Sequence, residues 1–296
     1  MASGFFALLD DIATLMDDVV VMSKITTKKT AGILGDDLAV NAEKATGFVS
    51  SRELPVLWAI TKGSFLNKLI ILPIAFLLSA FAPWAVTLAL VLGGVYLAFE
   101  GVEKIYDFFV PHDHEKEVHI GDIGDEEHVL EIEKQKIKSA IFTDFILSVE
   151  IVIIALGTVL GKSILFQVLV VSIVAIIATV GVYGIVALIV RMDDLGLKLV
   201  TLHASNKNSA LKVIGQFLIN ALPWVIKSLS VIGTIALLLV AGGIFGHKIP
   251  YFHHVLESFP GFIKDFILGL LVGCVALLVV KLFKVFIKLF KGKKRE

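Results

Sequence analysis

The stretch KLIILPIAFLLSAFAPWAVTLALVLGGVYLAFE, residues 68–100, holds 31 consecutive residues without a charge between Lys68 and Glu100. A bilayer core about 30 Å thick needs roughly 20 helical residues, each rising about 1.5 Å. The run is too long for one crossing and suits two. Pro83 divides it into a span near 64–82 and another near 84–108, joined by a tight turn. The same arithmetic finds a third span at 139–160 and a fourth at 164–190, with only Gly161, Lys162 and Ser163 between them. Residues 262–290 supply the last span. The stretch 211–246 contains Pro223 and Lys227, and two readings fit it: one kinked span, or a half-inserted helix 211–226 followed by a full span 229–246.

Composition points the same way. Of 296 residues, 57% are hydrophobic and only 18% charged, with a mean hydropathy of +0.89. A globule that must cover itself with charge does not have these values. Lys plus Arg and Asp plus Glu both number 27, so there is no global positive field to hold nucleic acid. The single Cys274 excludes an internal disulfide framework. The expected fold is all-α: a polytopic transmembrane helical bundle of about six spans, with an amphipathic helical region at the N-terminus.

Basic residues set the orientation. With six spans and both termini cytoplasmic, 22 of the 27 Lys and Arg fall on the inner side, while the outer connections carry Lys162, Lys248 and Lys264. The resulting organisation is an acidic amphipathic helical region on the cytoplasmic side (1–63) and a transmembrane hairpin (64–108). A His/acid-rich cytoplasmic loop (109–138) and a second hairpin (139–190) follow. A cytoplasmic loop (191–210), spans with a basic amphipathic end (211–290) and a basic tail (291–296) complete the chain. The start is not read as a signal peptide, because it lacks a basic leader and carries Asp residues inside its apolar stretch.

From Phe5 to Val19 apolar residues recur at helical spacing, and Asp10, Asp11, Asp17 and Asp18 form two acidic pairs on one face. Interfacial helices that grip anionic lipid are basic, so this acidic helix is expected to dock on protein, its Asp residues facing water. The alternative is an acidic, cation-collecting vestibule.

The run LLDDIATLMDDVVVMSKITTKKTAGILGDDLAVNAEKATG (8–47) closely resembles the start of the YedI-like family of bacterial inner-membrane proteins. RELPVLWAITKGS (52–64), LGGVYLAFEGVEKIYD (92–107), TDFILSVEIVIIALG (143–157) and VGVYGIVALIVRMDDLGL (180–197) extend the resemblance over most of the chain. It implies a helical protein of the cytoplasmic membrane and brings no established activity, so no catalytic residue is carried over.

The third span carries the functional clue. Asp144 is its sixth residue and Glu150 its twelfth, which puts Glu150 near the midplane. A charge there costs roughly 2.5–3.5 kcal/mol on insertion scales, so acidic residues in spans face a cavity or a partner. Thr143 shares a face with Glu150, and Ser148 shares the neighbouring one with Asp144. Such oxygens suit a divalent cation or a proton relay. The run from Asp144 through Ser148 to Glu150 also looks a little like the acidic helix motif of TerC-like metal-ion exporters, over about eight residues and with Ile151 where those proteins commonly carry Asn. The bland reading is that Glu150 is protonated, or pairs with Lys68 or Lys227 and fixes helix register.

A cytoplasmic acidic gate would join Asp10, Asp11, Asp17, Asp18, Asp36 and Asp37 with Glu100, Glu103, Asp193 and Asp194; ordinary solvated helix ends are the favoured reading of the last four. His112, His114, His119 and His128 lie among carboxylates in residues 111–128, a composition that binds zinc, nickel or manganese but without structural-zinc spacing; a plain disordered loop is the favoured reading of such a tract. Lys281, Lys284, Lys288 and Lys291 give the last span a basic face toward anionic lipid. Two Gly-Val-Tyr triplets (94–96 and 181–183) and two Pro-Trp pairs (83–84 and 223–224) have discordant offsets, which speaks against an inverted repeat. No phosphate loop, nucleophile elbow or HExxH pattern is present, so no enzyme is expected. The leading expectation is a cation transporter, divalent-metal or proton-coupled, with a divalent cation as the one ligand in view. Its rival is a non-transporting scaffold or stress-associated partner protein. Homo-oligomerisation is left open.

Overall fold

The computed structural model describes residues 2–45, 50–110, 126–202, 210–248 and 260–292. Its elements are α1 (Ala2–Ala45), α2 (Ser50–Phe81), α3 (Pro83–Phe109), α4 (Glu126–Val159), α5 (Ile164–Val190), α6 (Met192–Leu202), α7 (Ala210–Lys248) and α8 (Gly261–Gly292). No strand occurs among the described residues. Six helical stretches are long and apolar enough to cross a membrane: Arg52–Phe81, Pro83–Phe109, Leu130–Val159, Ile164–Leu202, Ala210–Gly246 and Gly261–Lys284. They correspond to the six spans expected, and they fit an integral membrane protein.

The punctuation follows the sequence. α2 stops at Phe81 and Pro83 opens α3, where its fixed φ and missing N–H suit a first helical position. Between α4 and α5 the chain turns at Gly161, whose φ of +86° favours glycine, and Ser163 caps α5 by accepting from the Phe166 amide. The 211–246 question resolves to one continuous helix: Pro223 lies inside α7. Two stretches expected as loop are in fact helical. α4 begins at Glu126, and Arg52 clamps its early turns through an ion pair to Glu133 at 2.8 Å. α6 fills 192–202.

The chain forms two compact units. Unit 1 is Met1–Val86 with Glu117–Val231, and unit 2 is Thr87–Lys116 with Ile232–Glu296. In unit 2, α3 and α8 approach so closely that a Cβ on Gly273 would strike the Ala98 carbonyl oxygen, and one on Gly269 would strike that of Leu238 on α7. Small residues at such crossings let helices pack where lipid supplies no hydrophobic drive.

Unit 1 holds the buried polar residues considered below. One apolar cluster joins Val19 of α1 to Ile71, Val152, Leu156, Val159, Phe166 and Val170. A second joins Ala42 and Ala45 to Val56, Ile60, Ala140, Tyr183 and Val186. α1 therefore runs through the unit. Thr26 meets Thr158 (Oγ1 to Oγ1, 2.7 Å), and Lys44 Nζ donates to Ser139 Oγ at 3.2 Å, so α1 lies antiparallel along α4 for about 27 Å. The docking lies mainly beyond the acidic stretch 5–20. The reason is that its polar side chains point inward: Ser23, Thr26, Thr30, Asp36, Asp37 and Asn41 are buried. Asp10, Asp11, Asp17 and Asp18 face outward as expected, and so do Lys24, Lys28, Lys29 and Glu43.

Candidate functional site: a serine-bridged Lys68–Asp144 pair

α2 carries Ser64 and Lys68 four residues apart, and α4 carries Asp144 and Ser148 at the same spacing, so each helix offers its two groups on one face. Beside them α2 comes close to α4 at Gly63, where a Cβ would meet Ile141 at 2.5 Å. The result is a reciprocal pair. Lys68 Nζ donates to Ser64 Oγ and to Ser148 Oγ, both at 2.9 Å. Ser64 Oγ donates to Asp144 Oδ1 at 2.8 Å, and Ser148 Oγ to Oδ2 at 3.3 Å. Lys68 itself stands 4.0 Å from Asp144 Oδ1. Two hydroxyls thus bridge ammonium and carboxylate.

Three further side chains, two of them on other helices, complete the ring. Asn67 Nδ2 donates to Asp144 Oδ2 at 3.1 Å and to the Ile141 carbonyl at 2.9 Å. Tyr183 OH, on α5, donates to Asp144 Oδ1 at 2.8 Å, and Asn41 Oδ1 of α1 offers a second acceptor at 3.3 Å. A phenol carries one proton, so the shorter bond to the carboxylate takes it. The charge of Asp37 also acts on Lys68 and on Tyr183. Ser64, Asn67, Lys68, Asp144, Ser148 and Tyr183 are all buried. Asp144 is six residues beyond Lys138, the last basic residue before the apolar run, and so about 9 Å deeper. Toward that end a polar pocket of about 270 Å³ opens between α1 and α4, lined by Val40, Glu43, Lys44, Lys136 and Ser139.

The expected site residues are distributed as follows. Asp144 and Ser148 come together as read. Thr143 turns its hydroxyl to its own helix, donating to the Ser139 carbonyl at 3.0 Å. Glu150 is buried too, but six residues along a helix put it about 9 Å and 120° away from Asp144. Lys68, expected opposite Glu150, belongs to Asp144. Of the gate residues, Asp36 and Asp37 are buried on α1, while Asp10, Asp11, Asp17 and Asp18 are exposed on it. One continuous helix holds Asp10 and Asp36 about 39 Å apart, so the two groups do not form one gate. Glu100 pairs with Lys104 at 3.1 Å, Glu103 is half-buried, and Asp194 pairs with Arg191, as helix ends do. His112, His114 and His119 lie outside the described residues, as do the side chains of His128 and Asp193. Among the described residues no three His, Cys, Asp or Glu converge on a metal position.

Ser64, Asn67, Tyr183 and Asn41 were not anticipated. The available signal was a cluster of polar residues, S-x-x-N-K, at the mouth of an apolar run.

Residues 3–293 match the family described as "Protein of unknown function (DUF808)". The chain belongs to the DUF808 family. The match spans every helix of both units and gives a family without an activity; it does not carry the YedI-like name. No curated protein and no solved structure matches this DUF808 chain.

Proposed function

We propose that this DUF808 protein is a proton-coupled cation transporter of the bacterial inner membrane in which Asp144 is loaded and Lys68 is its resident counter-charge. The observation that carries the reading is the buried, serine-bridged pair within apolar helices, since intramembrane ionisable residues mark ion pathways or relays. A proton arriving on Asp144 neutralises the charge that holds Lys68, and the ammonium then releases its own proton or moves toward Asp37. One proton taken up and one released makes a transport half-cycle, with the pocket at Glu43 and Lys136 as the near approach. A proton fits this centre better than a metal ion does. Asp144 already accepts four hydrogen bonds, from Ser64, Asn67, Ser148 and Tyr183, and a metal would have to displace those donors.

The test is flux in proteoliposomes: wild type, Asp144→Asn, Lys68→Gln and empty vesicles, with manganese, zinc, nickel, magnesium and calcium, with and without a pH gradient. Flux that vanishes in Asp144→Asn while the protein still elutes as a folded species supports transport. No flux in the wild type under any condition sinks it. The scaffold reading is favoured by a specific observation, that Asp144 is held by three other side chains from α2 and α5 and so ties those helices to α4. Under that reading, replacing Lys68 and Asp144 together by apolar residues leaves the protein's whole role intact.

We also infer that α1 crosses the membrane. Between Ala31 and Val40 its outward residues are Ala31, Gly32, Leu34, Leu38 and Val40, and its acids, Asp36 and Asp37, face inward. A helix against water has the opposite pattern. Residues 2–18 then lie on the side opposite Ala45, while the C-terminus stays cytoplasmic.

A further inference from the structure

A groove of about 600 Å³ runs between α2 and α5 in unit 1, a volume typical of sites for small ligands. On α2, Trp58, Lys62 and Phe65 share one face at helical spacing; on α5, Val180, Tyr183 and Gly184 form the opposite wall. The groove is kept open at Gly184, where an added Cβ would meet nothing within 4 Å. Trp58, Phe65 and Val180 are all more than half exposed, an arrangement that water does not favour and acyl chains do.

The groove has a polarity along its length. Ser64 is level with Asp144, so Lys62 is level with Phe142, about 6 Å deeper than Lys138. A lysine stem reaches that distance, which brings the ammonium back to the interface. Lys62 stands over the Trp58 ring, 5.3 Å from its centroid, and tryptophan belongs at the same interfacial level. Phe65 and Val180 line the deeper part. A cation at the headgroup level above an apolar trough is complementary to one kind of molecule in a bilayer. We propose that this groove is a binding site for one anionic phospholipid, its phosphate on Lys62 and an acyl chain between Trp58, Phe65 and Val180. The proposal stands apart from transport and from the lysine face of α8.

Brominated-lipid quenching tests it, because the tryptophan lies in the site. The full chain carrying Trp84→Phe and Trp224→Phe, which leaves Trp58 alone, is reconstituted in phosphatidylcholine vesicles. These contain equal mole fractions of dibrominated phosphatidylglycerol or dibrominated phosphatidylcholine. The expected result is a preference of about fivefold for the anionic lipid at Trp58, the worth of one lysine near the surface. Lys62→Gln should abolish it. Gly184→Leu, whose Cβ meets nothing within 4 Å and which keeps the charge, should abolish it too, with an unchanged circular dichroism spectrum. Equal quenching by the two lipids in the parent overturns the proposal. A preference that survives Lys62→Gln overturns the assignment of the phosphate, and one that survives Gly184→Leu shows surface attraction without a groove site and overturns the proposal as well.

Discussion

Asp144→Asn keeps the shape of the side chain and removes its charge, leaving the Lys68 ammonium buried beside two hydroxyls with only the charge of Asp37 acting on it. Breaking a buried pair on one side costs about 3–5 kcal/mol, because the remaining charge is uncompensated. A clear fall in thermal midpoint is therefore expected in detergent, and Lys68→Met combined with Asp144→Leu should recover most of it. Tyr183→Phe is the milder probe. It deletes one donor to a carboxylate that retains three others, for a loss of about 1.5–3 kcal/mol with the fold intact. A Tyr183→Phe effect equal to that of Asp144→Asn would mean that the phenol, and not the lysine, anchors the cluster. At this scale the sequence was half legible. Asp144 and Ser148 could be paired because they share one helix, where spacing dictates neighbours. Ser64, Asn67, Tyr183 and Asn41 come from three other helices, and nothing in one chain's spacing says which faces meet. Glu150 drew attention for its depth, but the lysine faces the carboxylate one third of a turn away, at Asp144.

Helices that spend their surface on lipid announce themselves by hydropathy, which is why the six apolar spans were legible, down to the break at Pro83 and the turn at Gly161. α1 was not. Its Ser, Thr, Asp and Asn residues lower the average of a segment whose outward residues between Ala31 and Val40, on the proposed lipid side, are apolar. A scan that sums over all faces cannot separate a polar seam turned inward from one turned toward water. The glycines of α3 and α8 are read more directly. Gly269 and Gly273 stand four apart, and each faces a carbonyl oxygen on a neighbouring helix. Gly273→Leu should separate α8 from α3 and lower stability by about 1–3 kcal/mol or more. Gly181→Leu, where an added Cβ meets nothing within 4 Å, is the control and should be close to neutral. Proteolysis of the two variants in detergent checks the difference, which disappears if the crossing is not held by contact.

Orientation is a property of the whole chain, and the proposed orientation rests on where the basic residues fall, whether or not α1 crosses. If it does, Lys24, Lys28 and Lys29, exposed near the α4 end at Thr158, move to the outer side. The proposed inner side then keeps 19 of the 27 basic residues against six outside, so the proposal of a cytoplasmic C-terminus survives the change. Residues 2–18 carry four Asp and no Lys or Arg, a composition that offers no resistance to translocation. The single native cysteine makes the test clean. In a Cys274→Ser background, Ala13→Cys and Lys134→Cys each place one thiol at an exposed position, on α1 and on the first turns of α4. A membrane-impermeant maleimide added to intact spheroplasts should label Ala13→Cys and spare Lys134→Cys, which reacts only after permeabilisation. The reverse pattern would turn the whole molecule over. Protection of both until the membrane is opened would place residues 2–18 in the cytoplasm and overturn the crossing of α1. That arrangement would leave its Ala31–Val40 face against water and Asp36 and Asp37 turned inward, an inversion of how helices meet solvent.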